Sequence, residues 1–444
     1  MEYTERLRKV SVLGGAGKMG SGILLLTALE MADLLLQDKN LKMELWAIDL
    51  SPEGLRGLMK YMESQVLKAA EKKIVWLRKM YAGRPDLIEN GDIINAYVDE
   101  VVGLINSSIH LSDAGGSTLI FEAIKEDPAV KIPVLQELFR QGEGKTWFFT
   151  NTSSIPISRL DQEAGLGGSI IGFHFYNPPA VQKLVELIPG NQTNPELIEF
   201  AKMYAKNLKK TLVPSNDFAG FIGNGHFMRD ALWAIEEAEK MTGSVPVQQA
   251  IWTVNRISQE FLLRPMGIFQ LIDYVGIDVV VYIMQVMNPF LPGENLDSPF
   301  LKKLLEQGIR GGQFSDGSQK DGFFRYEKGR PVAIINPDTG GYDLLDPIHK
   351  ATQDTIGNPP SALTWKEVNF AADKAVQLNA YFAALRGMDT FGAKLAVTYG
   401  RTSRKIGELL VNSGVASSAD DVNRVLETGF YHAYGPINEY FNLA

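Results

Sequence analysis

The sequence has 444 residues, and 44 lysines and arginines against 52 aspartates and glutamates give it a net charge of −8. A chain of this length is expected to form two or three domains, which argues against a single binding module. The acidic balance, without a dense basic run, argues against a nucleic-acid partner, since neutralising phosphates needs clustered positive charge. The absence of cysteine removes disulfides, thiolate nucleophiles and cysteine–zinc sites, and five histidines leave little room for a metal site.

The early part of the chain shows neither a secretory signal nor a membrane span. Residues 1–10 are rich in charge and lack an apolar core. The most apolar early stretch, 23–36, is interrupted by Glu30 and Asp33 and is too short to cross a bilayer. We therefore expect a soluble cytoplasmic protein.

The first half of the chain alternates predicted strands and helices. Residues 9–13 predict a strand, which is followed by a glycine-rich turn and a helix, and a second strand is predicted over 43–48. Helical spacing over 55–80 and again up to 105 indicates a helical hairpin protruding from the sheet. Further strands are predicted over 117–124, 145–150 and 169–175. This alternation predicts an α/β fold with a mostly parallel sheet.

The second half changes character after Pro214, where helical patterns replace the alternation. Glycine and polar residues dominate 308–342, which predicts a linker or insertion, and helical spacing returns beyond it. The predicted domains are an α/β domain over 1–214, a helical domain over 215–310, a linker or insertion over 311–344 and a second helical domain over 345–444.

The two helical domains share a sequence echo. Asn255 and Gly267 in the first match Asn423 and Gly435 in the second, because 423 minus 255 and 435 minus 267 both give 168. The segments therefore align without a gap. We interpret the second helical domain as a repeat of the first.

The glycine-rich turn has the pattern of a dinucleotide-binding loop. Gly15, Gly17 and Gly20 stand between a strand and a helix, where small residues let backbone N–H groups approach a pyrophosphate. Asp49, at the end of the second strand, can accept hydrogen bonds from the ribose hydroxyls and would repel a 2′-phosphate. The sequence therefore predicts a Rossmann-like domain that binds NAD, although Asp49 lies further from Gly20 than is usual.

A histidine and a carboxylate are predicted to face each other across two strands. The segment 172–188 contains two apolar runs joined by prolines, and the midpoint of 174 and 186 falls in the proline turn. His174 and Glu186 would then share one face of a strand pair. A carboxylate beside one imidazole nitrogen fixes the tautomer and leaves the other nitrogen to remove a proton from an alcohol. The alternatives are a structural His–Glu salt bridge, or His226 as the functional histidine near a helix start.

These motifs together resemble the L-3-hydroxyacyl-CoA dehydrogenases of fatty-acid β-oxidation. The matching segments occur in family order and span most of residues 9–290. They are residues 15–20, 122–126, 151–154, 174–186, 217–224 and 265–267. The resemblance implies the dehydrogenase part of a multifunctional β-oxidation enzyme, without a hydratase part.

The resemblance also implies roles for individual residues. His174 would be the catalytic base and Glu186 its partner, while Ser153 and Asn224 would contact the substrate's C3 oxygen or the nicotinamide. Turn formation and helix capping are the alternative roles for Ser153 and Asn224, which their residue types also favour. The residues implied in cofactor binding are Gly15, Gly17, Lys18, Met19, Gly20, Asp49, Glu126, Lys131 and Ser153. A solvated strand end and helix face would explain Glu126 and Lys131 equally well.

The phosphates of CoA would meet lysines of the helical hairpin, for which Lys68, Lys72 and Lys73 are candidates. A solvated charged face would explain the same lysines. The resemblance further implies that the repeated helical domains pair within one chain, as an alternative to a homodimer, and that a separate hydratase or thiolase is a possible partner.

Two other functions remain open at this stage. One is a related NAD-dependent dehydrogenase of a free hydroxy acid or sugar acid, which would use the same base and hydride chemistry. The other is an NAD-binding scaffold without catalysis, against which the presence of both His174 and Glu186 argues.

Overall fold

A computed structural model describes residues 3–314 and 317–442. The chain divides into two compact units, with the division between Asp217 and Phe218. The α/β domain was predicted to end at 214, so the first unit agrees with that boundary to within three residues.

A single eight-stranded sheet forms the centre of the first unit. All neighbouring strands are parallel except β6 and β7, which are antiparallel. The order across the sheet is β3-β2-β1-β4-β5-β6-β7-β8. The strands are β1 Lys9–Leu13, β2 Glu44–Ile48, β3 Ile105–Ser108, β4 Leu119–Glu122, β5 Trp147–Thr150, β6 Ile170–Phe175, β7 Leu184–Pro189 and β8 Thr211–Pro214.

Helices connect these strands, and several begin at a polar cap followed by proline. Ser51 accepts a hydrogen bond from the N–H of Gly54, and Asp127 and Asn194 cap their helices in the same way. The helices are α1 Tyr3–Arg6, α2 Lys18–Gln37, α3 Pro52–Lys72, α4 Ile74–Met80, α5 Asn90–Gly103, α6 Pro128–Gln141, α7 Ile157–Ala164 and α8 Pro195–Asn207.

The helical hairpin is present, but part of it belongs to the core. Helices α3 and α5 pack together, and their apolar faces, which include Met62 and Tyr97, are buried in the same cluster as the strands. The second helical stretch was predicted to reach Ile105, but α5 ends at Gly103 and Ile105 begins β3. Strands β3 and β8, both four residues long, were not predicted.

Helix α2, Lys18–Gln37, is longer than the apolar stretch 23–36, which was predicted to be too short to cross a bilayer. By length and composition it could cross a bilayer, but 56% of its most apolar window is buried inside the unit. Its inner face includes Ile23, Leu24 and Met31 and contacts the central strands. Such burial is usual for a core helix of an α/β fold.

The second unit is mainly helical. Its helices are α9 Gly223–Met241, α10 Val247–Arg256, α11 Ile268–Val275, α12 Ile277–Met287, α13 Pro299–Glu306, α14 Leu345–Ile356, α15 Trp365–Asn369, α16 Lys374–Arg386, α17 Phe391–Asn412 and α18 Ala419–Gly429. A short π-helical turn, Ile257–Phe261, extends α10. The pair formed by α11 and the segment Ile277–Phe290 is as apolar as a membrane span, but it bends by 87° at Gly276.

The predicted linker over 311–344 contains regular structure. Strands β9 Phe324–Glu327, β10 Arg330–Asn336 and β11 Gly341–Leu344 form a small antiparallel sheet. Phe323, Phe324 and Ile334 are fully buried in one cluster with residues of both helical segments. Of the two predicted alternatives, a linker or an insertion, the sheet favours an insertion.

The sequence echo has a structural counterpart. The side-chain oxygen of Asn255 accepts hydrogen bonds from the N–H groups of Phe269 and Gln270, and that of Asn423 accepts one from the N–H of Ile437. In each copy the asparagine packs against a glycine, Gly267 or Gly435, where a Cβ would collide with the amide. Because these two clasps lie 168 residues apart, they support a repeat.

Candidate active site

The glycine loop folds tightly on itself and against the end of β2. The N–H of Gly15 donates to the carbonyl oxygen of Ile48, and the N–H of Gly17 donates to the carbonyl of Gly14. A Cβ at Gly20 would lie 2.7 Å from the carbonyl carbon of Gly14 and 3.0 Å from the Cα of Gly15. Only glycine fits there, so the predicted loop residues form one compact backbone turn.

The loop leads directly into α2. Gly17 is the N-cap of this helix, and because glycine has no side chain it cannot occupy the first N–H groups, which an anion can then bind. Lys18 and Met19 are the first two residues of the helix. Partial burial lowers the pKa of Lys18 below its usual value.

Asp49 lies beside the loop, despite its long spacing from Gly20. One carboxylate oxygen accepts a hydrogen bond from the N–H of Ala16 at 3.0 Å, and the other accepts one from the N–H of Ser51. A pocket of about 420 Å³ opens here, lined by Gly17, Asp49 and apolar side chains that include Leu50 and Val130. A carboxylate beside an apolar pocket suits an adenosine group, so these residues fit NAD.

His174 and Glu186 are directly opposite each other on the antiparallel strands β6 and β7. The Nδ1 atom of His174 lies 3.3 Å from Oε1 of Glu186. Glu186 is fully buried, and His174 is 8% exposed. The predicted strand pair and its register are confirmed, and Nδ1 is the imidazole nitrogen that faces the carboxylate.

Tyr176 is a third member of this group, and the sequence analysis did not single it out. Its hydroxyl donates to the same oxygen of Glu186 at 2.7 Å, and its ring centroid lies 4.8 Å from that of His174. The available signal was its position two residues after His174, which places both on one face of an extended chain.

Glu126 holds the turn that contains Ser153. Its Oε1 accepts hydrogen bonds from the hydroxyl of Thr152, the N–H of Ser153 and both the N–H and hydroxyl of Ser154. Burial opposes the charge of Glu126, but Lys131 and the hydrogen bonds from Thr152 and Ser153 outweigh it and lower its pKa. Ser153 is thus presented by a fixed turn at the end of β5.

Lys131 is buried rather than directed toward solvent. Its ammonium lies 2.6 Å from Glu122 and 3.1 Å from Glu126, and its side chain is 1% exposed. Burial disfavours its charge, but the two carboxylates outweigh this effect and raise its pKa. Lys131 therefore supports the predicted cofactor site indirectly, because it pairs with Glu126, which holds the turn of Ser153.

Glu122, at the end of β4, is another residue that was not predicted for the site. It is fully buried and accepts hydrogen bonds from the hydroxyl of Thr150 and the N–H of Ile124. Its carboxylate links the ends of two neighbouring strands to the Lys131 ammonium. A signal was present, because a charged residue closes an otherwise apolar strand.

The hairpin lysines have different surroundings. Lys68 and Lys72 are exposed and lie one turn apart on α3. The ammonium of Lys73 instead lies 2.5 Å from Asp33 and bonds to the hydroxyl of Tyr97. Lys73 thus forms its contacts inside the unit, whereas Lys68 and Lys72 face solvent. Their exposure is compatible with both alternatives, a contact to the CoA phosphates and a solvated charged face.

The rival histidine is buried in the second unit. His226 lies on the first turn of α9, with Nε2 3.3 Å from the carbonyl oxygen and 3.1 Å from the hydroxyl of Ser403. Burial lowers its pKa to about 4. His110 is exposed, and His349 accepts a hydrogen bond from Trp252. Asn224 also lies on the first turn of α9.

The first unit thus brings a dinucleotide loop and a histidine–carboxylate pair to one sheet. The carboxyl ends of the parallel strands carry the glycine loop, Glu122, Thr150 and His174. This is the edge at which such sheets bind ligands. This combination defines the class of NAD-dependent dehydrogenases.

Comparison with known proteins identifies the family. Residues 9–218 match the NAD binding domain of 3-hydroxyacyl-CoA dehydrogenase, and residues 246–326 match its C-terminal domain. The chain therefore belongs to the 3-hydroxyacyl-CoA dehydrogenase family, and its cofactor is NAD.

Individual relatives agree with this membership. A probable 3-hydroxybutyryl-CoA dehydrogenase of Deinococcus radiodurans is 31% identical over 238 residues, which are 53% of this chain and 82% of that protein. One of Bacillus subtilis is 28% identical over 72% of this chain and 98% of its own. The crystal structure of 3-hydroxybutyryl-CoA dehydrogenase from Escherichia coli, at 20% identity, superposes with a TM-score of 0.63. It covers 97% of this chain and 90% of its own, and it shows that the fold is shared.

Proposed function

We propose that the protein catalyses the NAD-dependent oxidation of an L-3-hydroxyacyl-CoA to a 3-oxoacyl-CoA. The observation that carries this proposal is the pairing of His174 with the buried Glu186 at the ligand-binding edge of an NAD-binding sheet. Relatives from two bacteria whose names state this type of activity support the substrate class.

Each residue of the pair has a defined task in this reaction. With its proton on Nδ1, His174 donates a hydrogen bond to Glu186, and in this tautomer Nε2 can take the proton of the C3 hydroxyl. The charge of Glu186 then stabilises the imidazolium that forms. NAD, when bound, supplies the acceptor for the hydride of C3. In the reverse direction His174 returns the proton to the C3 oxygen.

Two further residues are proposed to contact the substrate. Ser153 stands on a turn in which its backbone N–H donates to Glu126, so the backbone that carries the hydroxyl is held by the fold. A hydroxyl and the amide of Asn224 are groups that can donate to the C3 oxygen as negative charge develops. Lys68 and Lys72 are proposed to attract the phosphates of CoA.

The test is NADH oxidation by the purified protein with acetoacetyl-CoA, beside free acetoacetate. We expect turnover of the thioester only, and its loss in His174→Gln. The matched control is His110→Gln, because His110 is exposed and lies outside the pair. Turnover of free acetoacetate would favour a dehydrogenase of free acids. NADH binding without any turnover would favour a scaffold.

We further propose that the two helical copies pair within one chain. Arg264 of the first copy bonds to Asp230, and Tyr399 of the second copy donates to the same carboxylate at 3.1 Å, all in a buried network. The Asn–Gly clasps in both copies support the same interpretation. A solution mass near 49.1 kDa is expected, and an obligate dimer would contradict the proposal.

A further inference from the structure

Tyr176 contacts the carboxylate on which the proposed base depends. The residue follows β6 directly, and its hydroxyl donates to Oε1 of Glu186 at 2.7 Å. The same oxygen faces Nδ1 of His174 at 3.3 Å. His174 and Tyr176, two residues apart in the chain, therefore share one buried oxygen of Glu186. We propose that Tyr176 is a positioning residue of the proton-transfer pair, which holds Glu186 and limits its pull on the His174 proton.

The distances show which partner holds the carboxylate in this structure. A hydrogen bond of 2.7 Å from a hydroxyl to a carboxylate is a strong, ordinary contact. The 3.3 Å contact of His174 is longer than a charge-assisted hydrogen bond of about 2.7–2.9 Å. Tyr176 thus fixes the orientation of Glu186 before His174 gains its proton, and the histidine contact is expected to tighten when it does.

The hydroxyl keeps its proton, which is a requirement for this role. Burial, and the adjacent charge of Glu186, raise the pKa of Tyr176 well above the ordinary value of 10. The group therefore remains a donor across the pH range in which an enzyme of this kind is assayed.

Strand β8 flanks the other side of β7. It places Val213 beside Glu186, and the residues of β8 carry no titratable side chain. Lys210, just before β8, donates to the carbonyl oxygens of Pro179 and Gln182 in the proline turn. The titratable groups whose contacts with Glu186 are described thus come from β6 and its end, His174 and Tyr176.

Removal of the hydroxyl should raise the affinity of the pair for a proton. Without the hydrogen bond from Tyr176, the buried negative charge of Glu186 is less compensated. The proton is then bound more tightly, whether it resides on His174 or on Glu186, because two strongly interacting groups titrate as a unit. The loss of a hydrogen bond to a charged group corresponds to a shift of at least about one pH unit.

The inference rests on the proposed function, and Tyr176→Phe tests it by two separate readouts. The first is the pH profile of kcat/KM for oxidation of 3-hydroxybutyryl-CoA. We expect its acidic limb to move to higher pH by about one unit, so that activity on that limb falls roughly tenfold and recovers at high pH. The second is the NMR titration of the His174 imidazole in the NADH complex, assigned by comparison with His174→Gln. We expect its midpoint to move in the same direction.

The control is Tyr204→Phe, a fully buried tyrosine of the first unit whose hydroxyl contacts Thr27 instead of Glu186. It should leave the pH profile and the His174 titration unchanged. An equal loss of activity at every pH in Tyr176→Phe, with both midpoints unmoved, would overturn the inference, as would an equal shift in Tyr204→Phe. If the parent protein does not oxidise the thioester, the proposed function fails. The NMR midpoint then decides alone whether Tyr176 acts on the pair.

Discussion

The tight approach of Gly20 to the glycine loop gives a prediction about cofactor binding. In Gly20→Ala the new Cβ would lie 2.7 Å from the carbonyl carbon of Gly14, whereas ordinary contacts begin at 3.4 Å. The backbone of the loop must therefore move by at least roughly 0.7 Å, because its close-packed surroundings leave no alternative. The contact is between two backbone segments, so no side-chain rotation can relieve it.

A displacement of this size should break hydrogen bonds to the pyrophosphate. Each bond from an N–H group to a charged phosphate contributes about 1.5–3 kcal/mol, so the loss of one weakens binding by roughly 10- to 150-fold. The assay is NADH binding, measured by fluorescence titration, with circular dichroism and thermal unfolding to confirm that the variant folds.

The matched control is Gly57→Ala. Gly57 also lies inside a helix, α3, but a Cβ there meets no atom within 4 Å. This substitution should leave NADH affinity unchanged and stabilise the protein by about 0.5–1 kcal/mol, because alanine favours helix more than glycine does. The loss of one such hydrogen bond should weaken NADH binding by more than about threefold. The prediction is refuted if folded Gly20→Ala binds NADH with an affinity within that range of the parent.

Three further predictions concern stability, measured by urea unfolding. Lys131→Met removes the cation between two carboxylates and should lower the free energy of unfolding by about 3–5 kcal/mol. The control is Lys125→Met, which removes one partner of an exposed ion pair and should lower it by less than about 1 kcal/mol. Equal losses in the two variants would show that burial of the ion pair does not matter. His226 has a folded pKa of about 4 against 6.5, so the unfolded chain takes up the proton first and stability falls as pH drops from 6.5 to 4. The loss is about 3 kcal/mol, and a profile that His226→Gln does not flatten would contradict it. Asn255→Ala and Asn423→Ala should each cost about 1–3 kcal/mol, because both leave backbone N–H groups unsatisfied; a loss in one alone would argue against equivalent clasps.

The features that the sequence predicted correctly are those set by local periodicity. His174 and Glu186 could be placed opposite each other because the strand period is two and the prolines marked the turn. Asp49 could be assigned to the glycine loop because parallel strands end at one edge. Its long spacing proved harmless, since the additional residues belong to an extended α2 and the loop that follows it.

The features that were missed depend on contacts between distant segments. Strands β3 and β8 are as short as β4 and β5, but each has only one buried residue, so no apolar run marks them and they owe their structure to neighbours in the sheet. The small sheet over 324–344 is stabilised in part by Asp273. Its carboxylate accepts hydrogen bonds from the N–H groups of Phe323 and Phe324, which lie 50 and 51 residues further along the chain. No local pattern reveals such a partner. The burial of Lys131 is similar, because a lysine in an amphipathic helix gives no sign of which carboxylates it will meet.

The antiparallel arrangement of β6 and β7 has a consequence for how the chain can change. His174 and Glu186 lie within thirteen consecutive residues, so the histidine–carboxylate pair belongs to one short hairpin. Added or lost residues in the turn beyond Tyr176 would leave both strands with the same faces toward each other. One residue deleted within either strand would turn the side chains beyond it to the opposite face and separate the pair. Natural length variation among relatives should therefore collect in the turn and be absent from the two strands.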